Sequence, residues 1–275
     1  MPAPVGAECA DCHEDVVNSF ATSEHARAWH FGTGAAGTCE SCHKGAETHL
    51  ESNDPDDILT PKEMSADEAA GICLNCHKEN AAQAHWKGST HQRRGVTCID
   101  CHSVHEAPPP DSMVNTSLRR DTCYECHKDV RSEMQKVSHH PVREGKMTCV
   151  SCHDPHGTLT KGNLKAVSAN ELCYDCHTEK RGPFLWEHPP VRENCLNCHT
   201  PHGSNHLKLQ STSVPYLCQQ CHVNTRHPGT LYDATVLPTL DDDTGGSNRI
   251  FNRACVDCHA AIHGSNHPSS PYLGH

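Results

Sequence analysis

The feature that most constrains this chain is a five-residue pattern, Cys-x-x-Cys-His, that occurs ten times and uses all 20 cysteines. A disulfide framework gives no reason for a histidine after the second cysteine, and zinc ribbons give none for placing it there ten times. The pattern is typical of c-type haem attachment, in which two cysteines form thioethers with one porphyrin and the histidine binds its iron. The sequence therefore predicts ten covalently bound haems c.

We number the motifs 1 to 10 along the chain. The predicted thioether residues are Cys9, Cys12, Cys39, Cys42, Cys73, Cys76, Cys98, Cys101, Cys123, Cys126, Cys149, Cys152, Cys173, Cys176, Cys195, Cys198, Cys218, Cys221, Cys255 and Cys258. The predicted proximal iron ligands are the histidines that end the motifs, namely His13, His43, His77, His102, His127, His153, His177, His199, His222 and His259.

The composition is consistent with ten bound haems. Hydrophobic residues make up 35% of the chain, but that share includes the 20 cysteines, and aromatic residues are only 4%. Side chains alone cannot bury enough apolar surface to offset the chain entropy, and by composition the apoprotein is expected to be disordered. Ten porphyrins would supply the missing core.

Charge and hydropathy exclude other classes of protein. The net charge of -11 argues against a nucleic-acid partner. No stretch of apolar residues is long enough to span lipid directly. Because c-type attachment takes place outside the cytoplasm, we expect an exported protein whose signal peptide is absent from this numbering.

Sixteen histidines remain outside the motifs, and they are the candidates for the second axial ligand that an electron-transfer haem favours. Five methionines are too few for this role. The motifs alternate between odd ones, followed by a longer segment with a histidine, and even ones, several of which carry a close second histidine. One histidine per motif gives the predicted distal ligands His25, His49, His91, His105, His139, His156, His188, His202, His227 and His263.

Some of these assignments leave alternatives. His139 is preferred to His140 because His139-x-Pro-Val aligns with His188-x-Pro-Val. The choices of His25 over His30 and of His91 over His85 have the least support from the repeat pattern. In His-x-x-His both rings lie on the same side of the chain, so they cannot approach one iron from opposite faces. His105, His156 and His202 should therefore each bind a neighbouring haem, and the sequence leaves open which one.

The fold class expected is a multihaem cytochrome, mostly short α-helices and loops wrapped around a linear chain of ten haems, with little or no β-sheet. Segments 14–29 and 128–137 have helical patterns, and Ser65 to Glu68 and Ser168 to Glu171 fit capping boxes. Five motifs per half predict a first pentahaem half, 1–147, and a second, 148–275. The acidic run Asp241–Asp243 is interpreted as a solvated surface loop, with a cation or partner contact as the alternative.

Two local signatures carry a resemblance to a known family. They are His139-His-Pro-Val-Arg-Glu-Gly-Lys-Met-Thr-Cys149 with His153-Asp-Pro-His156-Gly, and the segment from Cys255 to Pro268. With the tenfold motif, they resemble the decahaem cytochromes of the MtrA/DmsE type. The resemblance implies bis-histidine haems in two pentahaem halves. It also implies a cytochrome at the periplasmic side of the outer membrane, threaded through a β-barrel porin. Electrons would come from periplasmic cytochromes and pass to an extracellular multihaem cytochrome.

Three other functions remain open at this stage. The chain could be a soluble periplasmic electron shuttle or a subunit of a haem filament. A multihaem reductase would need one haem with an open coordination site, often marked by Cys-x-x-Cys-Lys, whereas all ten motifs here end in histidine. No serine-hydrolase or phosphate-loop motif is present, so no catalytic residue is predicted.

Overall fold

The computed structural model describes residues 7–30, 39–105, 120–222, 254–268 and 271–274. These ranges form short helices joined by turns and contain no β-sheet, only isolated bridges such as Lys44 with Leu59 and His199 with Gln210. The α-helices are α1 Ala7–Phe20, α2 Glu24–His30, α3 Ala46–Ser52, α4 Ala66–His77, α5 Thr90–Arg93, α6 Arg120–Tyr124, α7 Lys128–Glu133, α8 Ala169–Tyr174, α9 Pro189–Glu193 and α10 Tyr216–Gln219. The expectation of short helices with little or no sheet is confirmed for the described residues.

The odd and even motifs begin in different local structures. The first cysteine of each odd motif lies in an α-helix, in α1, α4, α6, α8 and α10. The first cysteine of each even motif opens a single 3₁₀ turn: Cys39–Ser41, Cys98–Asp100, Cys149–Ser151, Cys195–Asn197 and Cys255–Asp257. Residues with polar side chains hold such turns, as where the Thr97 N–H donates to Asp100 Oδ2 at 2.6 Å. The alternation in the sequence is therefore an alternation of backbone form.

Capping decides where the helices stop. Segment 14–29 was expected to be helical, but Ser23 separates α1 from α2, because its buried hydroxyl accepts the Ala26 N–H at 3.2 Å. The capping box at Ser65 and Glu68 is confirmed. At α8 only half of the box forms. Ser168 accepts the Glu171 N–H, while the Glu171 carboxylate forms a salt bridge with Arg181. Helix α7 ends at Glu133, short of the expected 137.

Protein side chains supply little core. In the described part of the chain the buried apolar residues are four alanines and four larger side chains: Ala26, Ala46, Ala69, Ala70, Trp86, Tyr124, Met134 and Val142. Large apolar side chains instead face outward, with Leu159 91% and Val137 76% exposed. This agrees with the composition, which is too poor in apolar residues for a conventional core. No helix in the described ranges has the length and apolar character needed to cross a bilayer.

The chain divides into two compact units. The first contains residues 1–127 and 148–165, and the second contains 128–147 and 166–275. The first unit carries motifs 1 to 6, and the second carries motifs 7 to 10. The expected halves 1–147 and 148–275 stay a prediction, because polypeptide compactness does not report how haems are grouped.

Candidate functional site

Eight proximal histidines lie ring to ring with a second histidine from another part of the chain. The ring centroids of each pair are between 5.9 Å and 6.4 Å apart. The pairs are His13 with His49, His77 with His25, His43 with His105, His127 with His91, His102 with His156, His177 with His140, His222 with His188 and His199 with His263.

This spacing fits an iron atom held between two imidazoles. A metal–imidazole bond is about 2.0 Å long, so two such bonds plus the near half of each ring separate the centroids by about 6 Å. Directly stacked rings would lie closer together. With two cysteines beside each proximal histidine, the residues at these motifs fit c-type haems, and at eight motifs a second imidazole lies where an axial ligand would bind.

The ligand rings are oriented by their second nitrogen. His91 Nδ1 bonds the Pro155 carbonyl at 2.8 Å, and His140 Nδ1 bonds the Pro201 carbonyl at 2.7 Å. Backbone carbonyls take the same role at other ligand rings: Asp54 O for His49, Gly162 O for His153, Lys208 O for His199 and Tyr272 O for His259. A metal-binding histidine usually donates its other N–H in this way, which leaves Nε2 for the metal.

The ring that faces the proximal histidine of motif 7 differs from the expected one. The structure places His140, not His139, opposite His177. His139 has both nitrogens engaged, with Nδ1 2.8 Å from the Lys136 carbonyl and Nε2 3.1 Å from Glu144 Oε1. A signal for His140 was present in the sequence, since His140 directly precedes a proline, as does His188.

The distal ligands cross between motifs in two directions. In the odd series, the histidine that follows one motif faces the next odd motif, so His25, after motif 1, faces His77 of motif 3. In the even series the direction is reversed after motifs 4, 6 and 10, so His156, after motif 6, faces His102 of motif 4. His49, after motif 2, is the exception and faces His13 of motif 1. The structure thus supplies the partners that the sequence left open for His105 and His156. The two choices that rested on least, His25 and His91, both lie in ring pairs.

The cysteines of consecutive motifs approach one another. The first cysteines hydrogen-bond within the motif pairs 1–2, 3–4, 5–6 and 9–10, as Cys73 does with Cys98. Between pairs, the second cysteines come close together. Cys126 lies near enough to Cys101 to contribute to its raised pKa, after the larger effects of burial and Asp100. Porphyrins on these thiols would follow one another in sequence order within each unit.

Burial favours the neutral form of several of these imidazoles, which is the form that binds a metal. It is the largest cause of a lowered pKa at His25, His43, His102, His188 and His263. The facing ring lowers the pKa further, as His156 does for His102.

The remaining predicted ligands are placed less completely. His202 Nδ1 lies 3.4 Å from Glu133 Oε2. His227 and the run Asp241–Asp243 lie outside the described residues. The ligand assignments of the ten predicted haems therefore stay predictions, which eight ring pairs support.

Comparison with known proteins identifies relatives of this chain. A family described as the doubled CXXCH motif matches residues 91–132, 139–182 and 188–227. The chain is similar to the multihaem cytochrome MtrA of Shewanella baltica (strain OS185), with 38% identity over 98% of this chain and 82% of that protein. It is also similar to the cytochrome c-type protein NrfH of Wolinella succinogenes, with 27% identity over 42% of this chain and 67% of NrfH.

Proposed function

The chain belongs to the family of the multihaem cytochrome MtrA, and from that premise we propose that it conducts electrons across the outer membrane through ten bis-histidine haems. As a member it is a multihaem c-type cytochrome that transfers electrons. The proposal adds the number of haems and the path. Electrons enter from periplasmic cytochromes, pass through the haems inside a β-barrel porin, and leave to an extracellular multihaem cytochrome.

The observation that carries the proposal is the set of eight imidazole pairs. Iron with two strong axial ligands reorganises little when it changes oxidation state, which suits electron transfer. A reductase needs an open position on at least one iron, and a second ring faces the proximal histidine at each of these eight motifs. At these eight motifs the arrangement favours a conduit, and an open iron of a reductase would have to lie at motif 6 or motif 10.

The order of the thiol contacts supports a continuous path. Within the first unit, first cysteines meet between motifs 1 and 2, 3 and 4, and 5 and 6. Second cysteines come close to the next pair. Cys42 lies near enough to Cys73 and Cys76 that, after burial, both contribute to its raised pKa. Each porphyrin would have its attached edge next to that of the following one, so an electron need not leave the protein to advance.

The polarity of the chain supports a porin as the sheath. The mean hydropathy is -0.67 and the net charge is -11. Such a surface cannot face hydrocarbon, whereas the lumen of a membrane barrel is polar. A wire of this kind placed inside a barrel would cross the membrane without exposing charge to lipid.

The test uses the native protein with its membrane partner. The cytochrome purified from outer membranes with any associated barrel is placed in vesicles that enclose an oxidised redox dye, and an impermeant reductant is added outside. We expect the dye to be reduced, with vesicles containing the barrel alone as the control. Mass measurement should show ten haems per chain. A cytochrome that leaves the membrane without detergent, and vesicles that stay oxidised, would support a periplasmic shuttle instead. Polymers on electron micrographs would support a haem filament.

A further inference from the structure

The ring of His156 has an unusual neighbour. It lies opposite His102, with centroids 6.0 Å apart and ring planes at 9°. Its Nδ1 is 3.4 Å from the carboxylate oxygen Oδ1 of Asp154, whose side chain is 32% exposed. Most other ligand rings with a described Nδ1 partner meet a neutral backbone carbonyl, as His91 meets Pro155 O. His202 also meets a carboxylate, and Glu179 Oε1 lies farther off, 3.9 Å from Nδ1 of His177. Among the described ring pairs, His156 has the closest carboxylate at Nδ1.

The carboxylate is held in place by the backbone. Asp154 Oδ1 accepts the His156 N–H at 3.0 Å, and the Asp154 N–H donates to the Asn163 carbonyl at 2.8 Å. The turn is closed by the Gly157 N–H, which donates to the Asp154 carbonyl at 3.1 Å. The charge is therefore fixed beside Nδ1 by the fold.

The ring itself is held from another direction. Trp86, only 7% exposed, packs edge-on against His156 with centroids 6.5 Å apart. A Cβ at Gly157 would lie 2.5 Å from the His85 carbonyl, so the turn packs directly on the segment that carries Trp86. These contacts leave the imidazole little freedom to move away from the carboxylate.

We propose that Asp154 is a positioning residue that lowers the reduction potential of the haem attached at Cys98 and Cys101. The inference rests on the proposed function, because it takes His102 and His156 as the ligands of that iron. A negative charge beside Nδ1 polarises the imidazole through its electric field and makes the ring a stronger donor to iron. Ferric iron gains more from this than ferrous iron, so the one-electron reduction becomes less favourable.

The repeat provides matched positions for a test. The residue after the proximal histidine is Ser103 in motif 4 and Asp154 in motif 6, each two positions before a distal ligand at the same spacing. His105, which follows Ser103, lies opposite His43 of motif 2. Installing the carboxylate at Ser103 should therefore lower the potential of a different haem, and removing it at Asp154 should raise that of the haem at Cys98.

The experiment compares the intact holoprotein with the variants Asp154→Asn and Ser103→Asp in optical redox titrations. Asparagine keeps the oxygen that accepts the His156 N–H and removes only the charge. Because the chain has ten motifs, one tenth of the titration should move. We expect a change of about tenfold in one reduction equilibrium, which equals 59 mV for one electron. The shift should be upward for Asp154→Asn and downward for Ser103→Asp.

The outcomes separate this inference from the function beneath it. A high-spin ferric signal in the wild-type protein would contradict the bis-histidine assignment itself. If all haems are low-spin and both variants titrate like the wild type, the role of Asp154 is refuted while the conduit stands. A shift of the same sign in both variants would also overturn it. If Asp154→Asn fails to mature, the exposed Ser103 position decides the question alone.

Discussion

The assignment of His140 rather than His139 as the ligand at motif 7 can be tested by replacing each of the two histidines in turn. The variants are His140→Ala and His139→Ala, made in the full holoprotein. The ring centroids of His140 and His177 are 6.4 Å apart, and His140 Nδ1 forms a hydrogen bond with the Pro201 carbonyl. His139 has one nitrogen on the Lys136 carbonyl and the other on Glu144.

The size of the effect follows from the count of sites. Removal of His140 takes one axial nitrogen from one iron among ten, so about one tenth of the ferric iron should become high-spin. Removal of His139 breaks a hydrogen bond to the exposed carboxylate of Glu144, which should cost little stability. All haems should then stay low-spin.

Low-temperature EPR of the oxidised protein measures this directly, with the high-spin signal integrated against total iron. The wild-type protein and the His139 variant should show none, and the His140 variant should show about one spin per chain. The reverse result, in which only the His139 variant gains the signal, would refute the ring-pair argument and restore the alignment with His188-x-Pro-Val. A signal in both variants would mean that the two rings act together, which their separate hydrogen bonds argue against.

Three further outcomes are expected. The ring planes of His25 with His77 meet at 87° and those of His199 with His263 at 10°, so EPR should resolve two classes of low-spin ferric haem; a single class would contradict these angles. Burial lowers the pKa of His102, so the unfolded state takes up protons first below the ordinary value of 6.5; the melting temperature should fall as the pH drops below that value, and a rise would contradict the sign. Gly157 has φ +109° and a Cβ there would meet His85 O at 2.5 Å, so Gly157→Ala should destabilise by about 1–3 kcal/mol. A Cβ at helical Gly71 would meet no atom within 4 Å, so Gly71→Ala should stabilise the protein by about 0.5–1 kcal/mol. Equal melting temperatures for the two glycine variants would refute the close approach of Gly157 to His85.

The sequence predicted the chemistry of the site better than its connections. Ten repeats of one motif were enough to predict the attachment residues, and the structure shows that the odd and even motifs also differ in backbone form. His139 could not be separated from His140 by pattern alone, because the choice depends on Glu144 and on a carbonyl 61 residues away, at Pro201. The break at Ser23 was also missed, since a serine inside a helical pattern becomes a cap only when its hydroxyl meets a free N–H.

The crossing of ligands between alternate motifs limits how a protein of this kind can change its length. His156 serves a motif two places earlier, and His25 serves one two places later. Gain or loss of a single motif would turn every following odd motif into an even one and leave histidines facing the wrong backbone form. Gain or loss of a pair would keep the alternation intact. Relatives with more or fewer haems should therefore differ by whole pairs of motifs, and genes that encode them should lengthen by duplication of that two-motif block.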